Sequence, residues 1–326
     1  MKRKLLPLLL ALPLLASCGG VSKLKAPKFA DPGKEIKYEK FVENIGKVLD
    51  KLDVYNAKKK LPSSVLKYSY QVYGEQLLKR NDKEFTKSVG GEKDELEFKY
   101  DASNLLMEET YKYEIASSYV DPLGKSAAAE DYTTHTMYQQ AKVKKNNYVV
   151  AVDKDNKEYS KEADLDDSYK AVNYHNETLK QIVTDSAVMI ESICAYYPYM
   201  PKESQKAIKF YQSDKLFTIA IDEDETSDVL DTTSNKVGSL KTTAVMKFQC
   251  NLVNDKLSLL SWTETTAEYS IKKTCSVKIS GDTVEFAKGD TLSVLSQSRD
   301  ELSLEYKDVK LKAIDLADYT QLGSAW

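Results

Sequence analysis

Over long stretches of the chain, apolar residues recur at every second position. In LKYSYQV, Leu66, Tyr68, Tyr70 and Val72 alternate with Lys67, Ser69 and Gln71. In LEFKY, Leu96, Phe98 and Tyr100 do the same, and in LLMEETYKYEI the residues Leu105, Met107, Tyr111, Tyr113 and Ile115 share one face. A further segment from His135 to Val143 reaches a turn at Asn146-Asn147, after which YVVAV returns. A period of two predicts half-buried strands of an antiparallel sheet, one face in and one face wet. Two hairpins can be set in register. A two-residue loop at Asn254-Asp255 pairs Leu252 with Leu257 and Cys250 with Leu259, leaving Ala244, Met246, Phe248, Cys250 and Leu252 on one face. A second loop at Gly281-Asp282 would pair Ile279 with Val284 and Val277 with Phe286. Matching apolar to apolar is what fixes register when one face is buried.

Elsewhere the period changes. Phe41, Ile45, Val48, Leu49 and Leu52 recur at helical spacing, and this helix is expected to end near Lys58-Lys59-Lys60, ahead of Pro62. Between residues 168 and 197, Leu179, Ile182, Val183, Ile190, Ile193 and Cys194 predict one or two helices ending before Pro198. A short helix around KESQKAIKFY follows; LFTIAI then reads as a strand leading into an acidic loop, DEDETSD, over 222–228. A last strand pair is placed in LSLEY and VKLKAI. No repeat of fixed period and no interior linker interrupts this order. The expected architecture is α+β: one domain over residues 34–326, built as a curved, half-barrel-like antiparallel sheet with helices packed on its apolar face.

Strand parity puts five tyrosines, Tyr68, Tyr70, Tyr100, Tyr111 and Tyr113, on the side expected to face the helices. A solid core would use Phe or Leu there, because each buried hydroxyl costs about 1–3 kcal/mol if unpaired. Tyrosine suits a surface that is apolar along the ring and polar at its tip. These five are therefore the candidates for lining a ligand groove.

Composition narrows the function classes. Lys+Arg 47 against Asp+Glu 50 leaves a net charge of −3, the opposite of the basic footprint of a nucleic-acid binder. The 22 tyrosines against eight phenylalanines are the compositional oddity. The amino terminus stands apart. Met1-Lys2-Arg3-Lys4 is basic, residues 5–15 form an apolar run with two prolines, and Leu15-Ala16-Ser17-Cys18 follows. The run is too short for the roughly 20 residues that a spanning helix needs, but basic, apolar and small-residue segments in this order make a secretory signal. Leu15-Ala16-Ser17-Cys18 resembles a bacterial lipobox. That resemblance implies a signal peptide over residues 1–17, cleavage before Cys18, and acylation of Cys18. Two or more acyl chains make a stable anchor where one is marginal. Residues 18–33, opening CGGVSKLKAPKFADPG, then read as a lipidated tether, and the rest as an extracytoplasmic domain held on a bacterial membrane, the cell membrane or an outer membrane.

Chemistry is sparse. His135 and His175 are the two histidines, and neither has a second His or Cys at ligand spacing. No Gly-x-Ser-x-Gly elbow or phosphate-cradling loop is present, so neither a cofactor nor an enzymatic activity is expected. DKDNKEYSKEAD, residues 153–164, opens like a calcium loop but has Lys157 at the fifth position and Glu158 where glycine is needed, and is rejected. With Cys18 acylated, Cys194, Cys250 and Cys275 remain, an odd number; Cys250 and Cys275 are both expected to point inward. The order helix, strands, helices, strands resembles the half-barrel lipoproteins of the LolA/LolB and mycobacterial lipoprotein-carrier type, in element order only. It implies a membrane-anchored protein that binds a lipid or other apolar ligand in a groove between sheet and helices. The alternatives are a surface adhesion or structural lipoprotein without a ligand cavity and, third, an extracytoplasmic hydrolase.

Overall fold

The structure is a computed structural model. It describes residues 23–52, 62–104, 106–120, 126–144, 146–153, 156–163, 190–253, 256–279, 282–312, 315 and 317–321. The signal segment, Cys18, the lysine run 58–60, most of the helical region 168–197 with His175, and both central residues of the Asn254-Asp255 loop lie outside the described residues.

Strands dominate. In chain order they are β1 (Lys34–Ile36), β2 (Ser64–Arg80), β3 (Lys83–Asp101), β4 (Leu106–Val120), β5 (Ser126–Lys144), β6 (Asn146–Asp153), β7 (Glu158–Ala163), β8 (Ile208–Ser213), β9 (Leu216–Leu230), β10 (Lys236–Val253), β11 (Lys256–Ile271), β12 (Cys275–Ile279), β13 (Asp282–Phe286), β14 (Thr291–Tyr306) and β15 (Thr320–Gln321). Two helices accompany them, α1 (Tyr38–Leu52) and the one-turn α2 (Lys202–Lys206), and residues 190–196 are helical before the 3-10 turn Tyr197–Tyr199. Among the described residues, thirteen strands form one sheet in the order β1-β8-β9-β10-β11-β14-β2-β3-β4-β5-β6-β7-β15, with β12 and β13 as a separate hairpin. Pairing is antiparallel except between β15 and β7. The ends of this order do not meet: the sheet is open.

Two cores lie on the same face of the sheet, at opposite ends of its strands. At about 3.3 Å per residue, the 19 residues of β3 extend about 60 Å, far longer than one helix can cover. The first core gathers Leu66, Phe98, Met107, Phe217, Ile219, Phe248, Cys250, Leu257, Leu302 and Leu304 from one end of the strands, under Phe41, Ile45 and Ile190. Phe41 and Ile45, four residues apart on α1, form the helix face that meets the sheet; Phe41 is 0% exposed, its ring 5.0 Å from Phe210 and 5.7 Å from Phe217. The second core gathers Leu78, Val229, Val237, Ala267, Tyr269, Ile271 and Leu292 from the other end, closed by Val277 and Phe286 of the β12–β13 hairpin. That excursion is pinned by Arg80, which donates to Asp290 through Nε and Nη2 at 2.8–3.2 Å while its guanidinium stacks 4.1 Å over Phe85. Asp290 is 1% exposed. We call this face the cored face.

Several expectations are corrected. The acidic stretch 222–228 is not a loop but the centre of β9. KESQK is helical, whereas Ile208–Ser213 continues as β8, because Ile208 and Phe210 alternate into the first core. Residues 309–312 form no strand; LSLEY lies within β14, which pairs with β11 and β2. The β10–β11 hairpin pairs Leu252 with Leu257 and Cys250 with Leu259. The β12–β13 hairpin is instead two residues out: Val277 faces Val284, Cys275 faces Phe286, and Ile279 faces Asp282. A slip of two keeps every side chain on its own face, so burial of Val277 and Phe286 is compatible with either register. Cys250 and Cys275 belong to opposite cores, and Cys194, Cys250 and Cys275 are free thiols.

The other face carries a strap. From Lys23 onward the amino-terminal segment runs across the sheet. Lys23 pairs with Glu75 at 3.6 Å, and Leu24 N donates to Gln297 Oε1 at 2.9 Å. Farther on, Ala30 N donates to Gln249 Oε1 (3.1 Å), Gln249 Nε2 donates back to Ala30 O (2.8 Å), and Lys247 sits 4.8 Å over the Phe29 ring. The strap ends at Gly33, where φ is +78° and an added Cβ would meet Ser213 Cβ at 2.5 Å, so glycine is required before β1 begins.

Candidate functional site

Between the two cores, the cored face is polar. The cross-strand partners fix which side chains meet there. Ser261, Asp300, Tyr70, Asp94 and Tyr113 stand in one row across β11, β14, β2, β3 and β4; Thr263, Ser298, Val72, Glu92 and Ile115 stand in the next. Asp300 Oδ2 accepts from Ser261 Oγ at 2.8 Å and Oδ1 from Tyr68 Oη at 3.3 Å; Asp94 Oδ1 accepts from Tyr111 Oη at 2.7 Å. Glu223 and Glu225 extend this belt on β9.

The electrostatics follow from burial without compensation. Desolvation pushes the Asp300 carboxyl above its ordinary range, although the hydrogen bonds from Ser261 and Tyr68 pull the other way. Glu92 is raised by burial and then by the neighbouring charge of Asp94, and Glu223 by burial. The tyrosines respond in kind: burial and then its bond to Asp94 push Tyr111 up to about 12, and burial followed by Asp300 raises Tyr68 and Tyr70. These hydroxyls remain protonated donors.

Among the described residues, no lysine or arginine stands in this belt. Among the described residues of β9, β10, β11, β14, β2 and β3, every cored-face position from one core to the other lacks Lys and Arg. Between the cores, the cations of those strands point to the strap face, and several pair there: Lys67 with Glu97 at 3.1 Å, Lys93 with Glu95 at 2.7 Å, Lys241 with Asp224 at 3.5 Å, and Arg299 with Glu301. The alternation of β9 divides the acids of DEDETSD between the two faces. It sends Glu223 and Glu225 to one face and Asp222, Asp224 and Asp228 to the other.

The five groove tyrosines all fall on the cored face, but in different surroundings. Tyr100 is 1% exposed inside the first core; Tyr68 packs at its margin; Tyr70, Tyr111 and Tyr113 are half-buried in the belt beyond it. The aromatic run at the helix end divides too: Tyr197 stacks on Tyr38 at 4.6 Å and meets Phe210, while Tyr196 and Tyr199 are exposed. His135 lies in β5. The carboxylates Asp94, Glu92 and Asp300 were not singled out from sequence. Their signal is there, as acids at inward parity in strands whose lysines all have the opposite parity. A separate groove of about 810 Å³ opens on the strap face, between Pro27 and Lys28 of the strap and Lys67, Glu97, Lys112 and Arg299 of the sheet.

No family model matches the chain, and no curated protein matches it. Among solved structures, it is similar to the outer membrane protease OmpT of Escherichia coli at 5% identity, over 77% of this chain and all of that one, with a TM-score of 0.20. A likeness that slight carries no argument about fold or activity. Among the described residues, no helix is long and apolar enough to cross a membrane.

Proposed function

We propose that this is a membrane-anchored extracytoplasmic lipoprotein, acylated at Cys18, that works without catalysis by presenting its open sheet to another macromolecule. The observation that carries the reading is the sorting of charge by face. An uncompensated carboxylate–tyrosine belt, built of Asp300, Asp94, Glu92, Tyr68, Tyr70, Tyr111 and Glu223, suits a partner bearing basic groups together with hydroxyl or ring surfaces. The strap face, where lysines alternate with carboxylates such as Glu95 and Glu97, offers no comparable field. Binding of immobilised poly-L-lysine and poly-L-glutamate by the Cys18→Ser protein tests this. Poly-L-lysine should be retained, and Glu92→Gln with Asp94→Asn should lower its retention, whereas Glu95→Gln with Glu97→Gln on the strap face should not. Equal losses in both pairs would remove the reading.

A second reading, binding of a lipid or other apolar ligand, is favoured by the margin of the first core. There Tyr68, Leu96, Ile221 and Met246 are half-buried, packed against the core but not closed over. The half-barrel curvature implied by the likeness to lipoprotein carriers belongs to this reading, with Tyr68, Tyr70, Tyr100, Tyr111 and Tyr113 lining the groove. Native mass spectrometry of the soluble form separates the two: co-purified lipid supports the apolar ligand, and its absence together with poly-L-lysine retention supports the surface reading.

A further inference from the structure

We infer that the strap face of the sheet lies against the membrane that holds the anchor, so that the cored face and its acidic belt are turned outward. This rests on the reading of Cys18 as acylated, and it adds what that reading lacks: which surface meets the lipid. The strap is attached at the centre of the sheet. Leu24 is bonded to Gln297 on β14 and Lys23 to Glu75 on β2, and these are the sixth and seventh of thirteen strands. Only residues 19–22 separate Lys23 from Cys18.

Five Cα steps at about 3.6 Å reach about 18 Å when fully extended. The lateral edges of the sheet lie five and six strands away, about 24 and 29 Å at about 4.8 Å per strand. A sheet standing on either edge would therefore hold the attachment point beyond the tether's reach. Standing on the strand ends fares little better. Gln297 is six residues from Thr291 and nine from Tyr306, about 20 and 30 Å at about 3.3 Å per residue, at or past the limit of a taut tether. The cored face cannot turn toward the bilayer without the tether rounding a rim. Only the strap-face-down arrangement leaves it slack.

The chemistry of that face is compatible with lipid headgroups. Lys67, Lys93 and Lys241 stand on it with exposed ends, interleaved with carboxylates, and among the described residues its exposed large hydrophobics are the two separate side chains Val245 and Leu230. The tether, not a charge field, sets the orientation.

Amine footprinting of the full-length protein tests this. The acylated chain is placed in vesicles of phosphatidylcholine with a quarter phosphatidylglycerol, treated with a membrane-impermeant acetylating reagent, and compared with Cys18→Ser protein in solution. Lys67, Lys93 and Lys241 should be acetylated several-fold more slowly on the vesicles, while Lys206 on α2 and Lys310 in the carboxyl-terminal segment react equally in both. A Gly/Ser insertion of about 20 residues between Gly20 and Val21 should abolish the protection while the protein stays bound. An intact-mass measurement separates the two possible failures. An unacylated Cys18 overturns the anchor and with it this orientation. An acylated chain with Lys67, Lys93 and Lys241 unprotected, or with Lys206 and Lys310 protected instead, overturns the orientation alone.

Discussion

Asp300 is half-buried and Asp290 fully buried, one on each side of the ordinary range, and the difference is their partners. Asp300 has only neutral hydroxyls, from Ser261 and Tyr68, and burial raises it; a raised acid contributes stability below its unfolded value of 3.8 that is lost as pH climbs through its folded value. Burial pushes Asp290 up as well, but the hydrogen bonds from Arg80 and from Ala287 N, with the charge of Arg80, hold it below 3.8. Its contribution is therefore present above 3.8 and lost as pH falls through its folded value. Urea unfolding across a pH series should show the two signs. Asp300→Asn should gain on the parent as pH climbs above 3.8, and Asp290→Asn should lose about 2 kcal/mol at neutral pH, since it leaves the Arg80 charge half-buried without its partner, with the deficit shrinking as pH falls below 3.8. Parallel pH profiles for the two variants would refute the assignment. The thiols provide an independent check on the cores. Burial pushes Cys250 up to about 12 and Cys194 up to about 11, so at pH 8 neither is a reactive thiolate in the native state. Unfolded, unreduced Cys18→Ser protein should titrate three thiols, and fewer would mean a disulfide.

At the scale of elements, the strap is the feature that ties a distant part of the chain to the sheet. Gln249 clamps Ala30 by two hydrogen bonds and donates a third contact to Thr218 Oγ1 at 3.1 Å. Gln249→Ala should cost about 1–2 kcal/mol and open the segment around Lys28 and Phe29 to trypsin several-fold faster; unchanged cleavage would mean that the strap is held elsewhere. Nothing in GGVSKLKAPKFADPG foretold this, because the strap has no periodicity and its hydrogen-bond partners Gln297 and Gln249 stand more than 200 residues away in the sequence. The strands teach the converse lesson. They were legible where a core covers them, as in LFTIAI and LKYSYQV, and illegible where none does. In the middle of β9 and β3, as in DEDETSD and VGGEKDE, both faces are polar, so the alternation of apolar residues disappears although the ladder continues unbroken. Hydrophobic period reports burial, and only through burial the strand. The turn at Asn81-Asp82, with φ of 51° and 59°, went unread although its signal is local: two residues that tolerate positive φ, forming a type I′ turn between Arg80 and Lys83.

For the whole molecule, the sorting of charge by face is a choice that folding does not require. A sheet whose raised carboxylates had cations across from them would be more stable, because cross-strand opposite charges contribute about 0.2–1 kcal/mol per pair. The strap face has such pairs in Lys67–Glu97 and Lys241–Asp224, and among the described residues the cored face of the same strands has none between the cores. Natural chains that forgo an available gain in stability commonly do so where a surface has other work. Val72 is the position that tests this. It stands opposite Glu92 on the neighbouring strand, in the row next to Asp300 and Asp94, and is only half-buried. Val72→Lys should lower the Glu92 carboxyl toward its ordinary range. It should hold or raise the unfolding midpoint at neutral pH, the new pair offsetting the lost valine contacts, and sharply reduce retention on poly-L-lysine. A control lysine at Ser69, on the strap face of β2 between Glu301 and Glu95, should keep the protein stable and leave retention unchanged. If Val72→Lys unfolds the sheet, the belt lacks cations because packing forbids them. If it is as stable as the parent and binds the cationic polymer as well, the belt is not the surface that meets a partner.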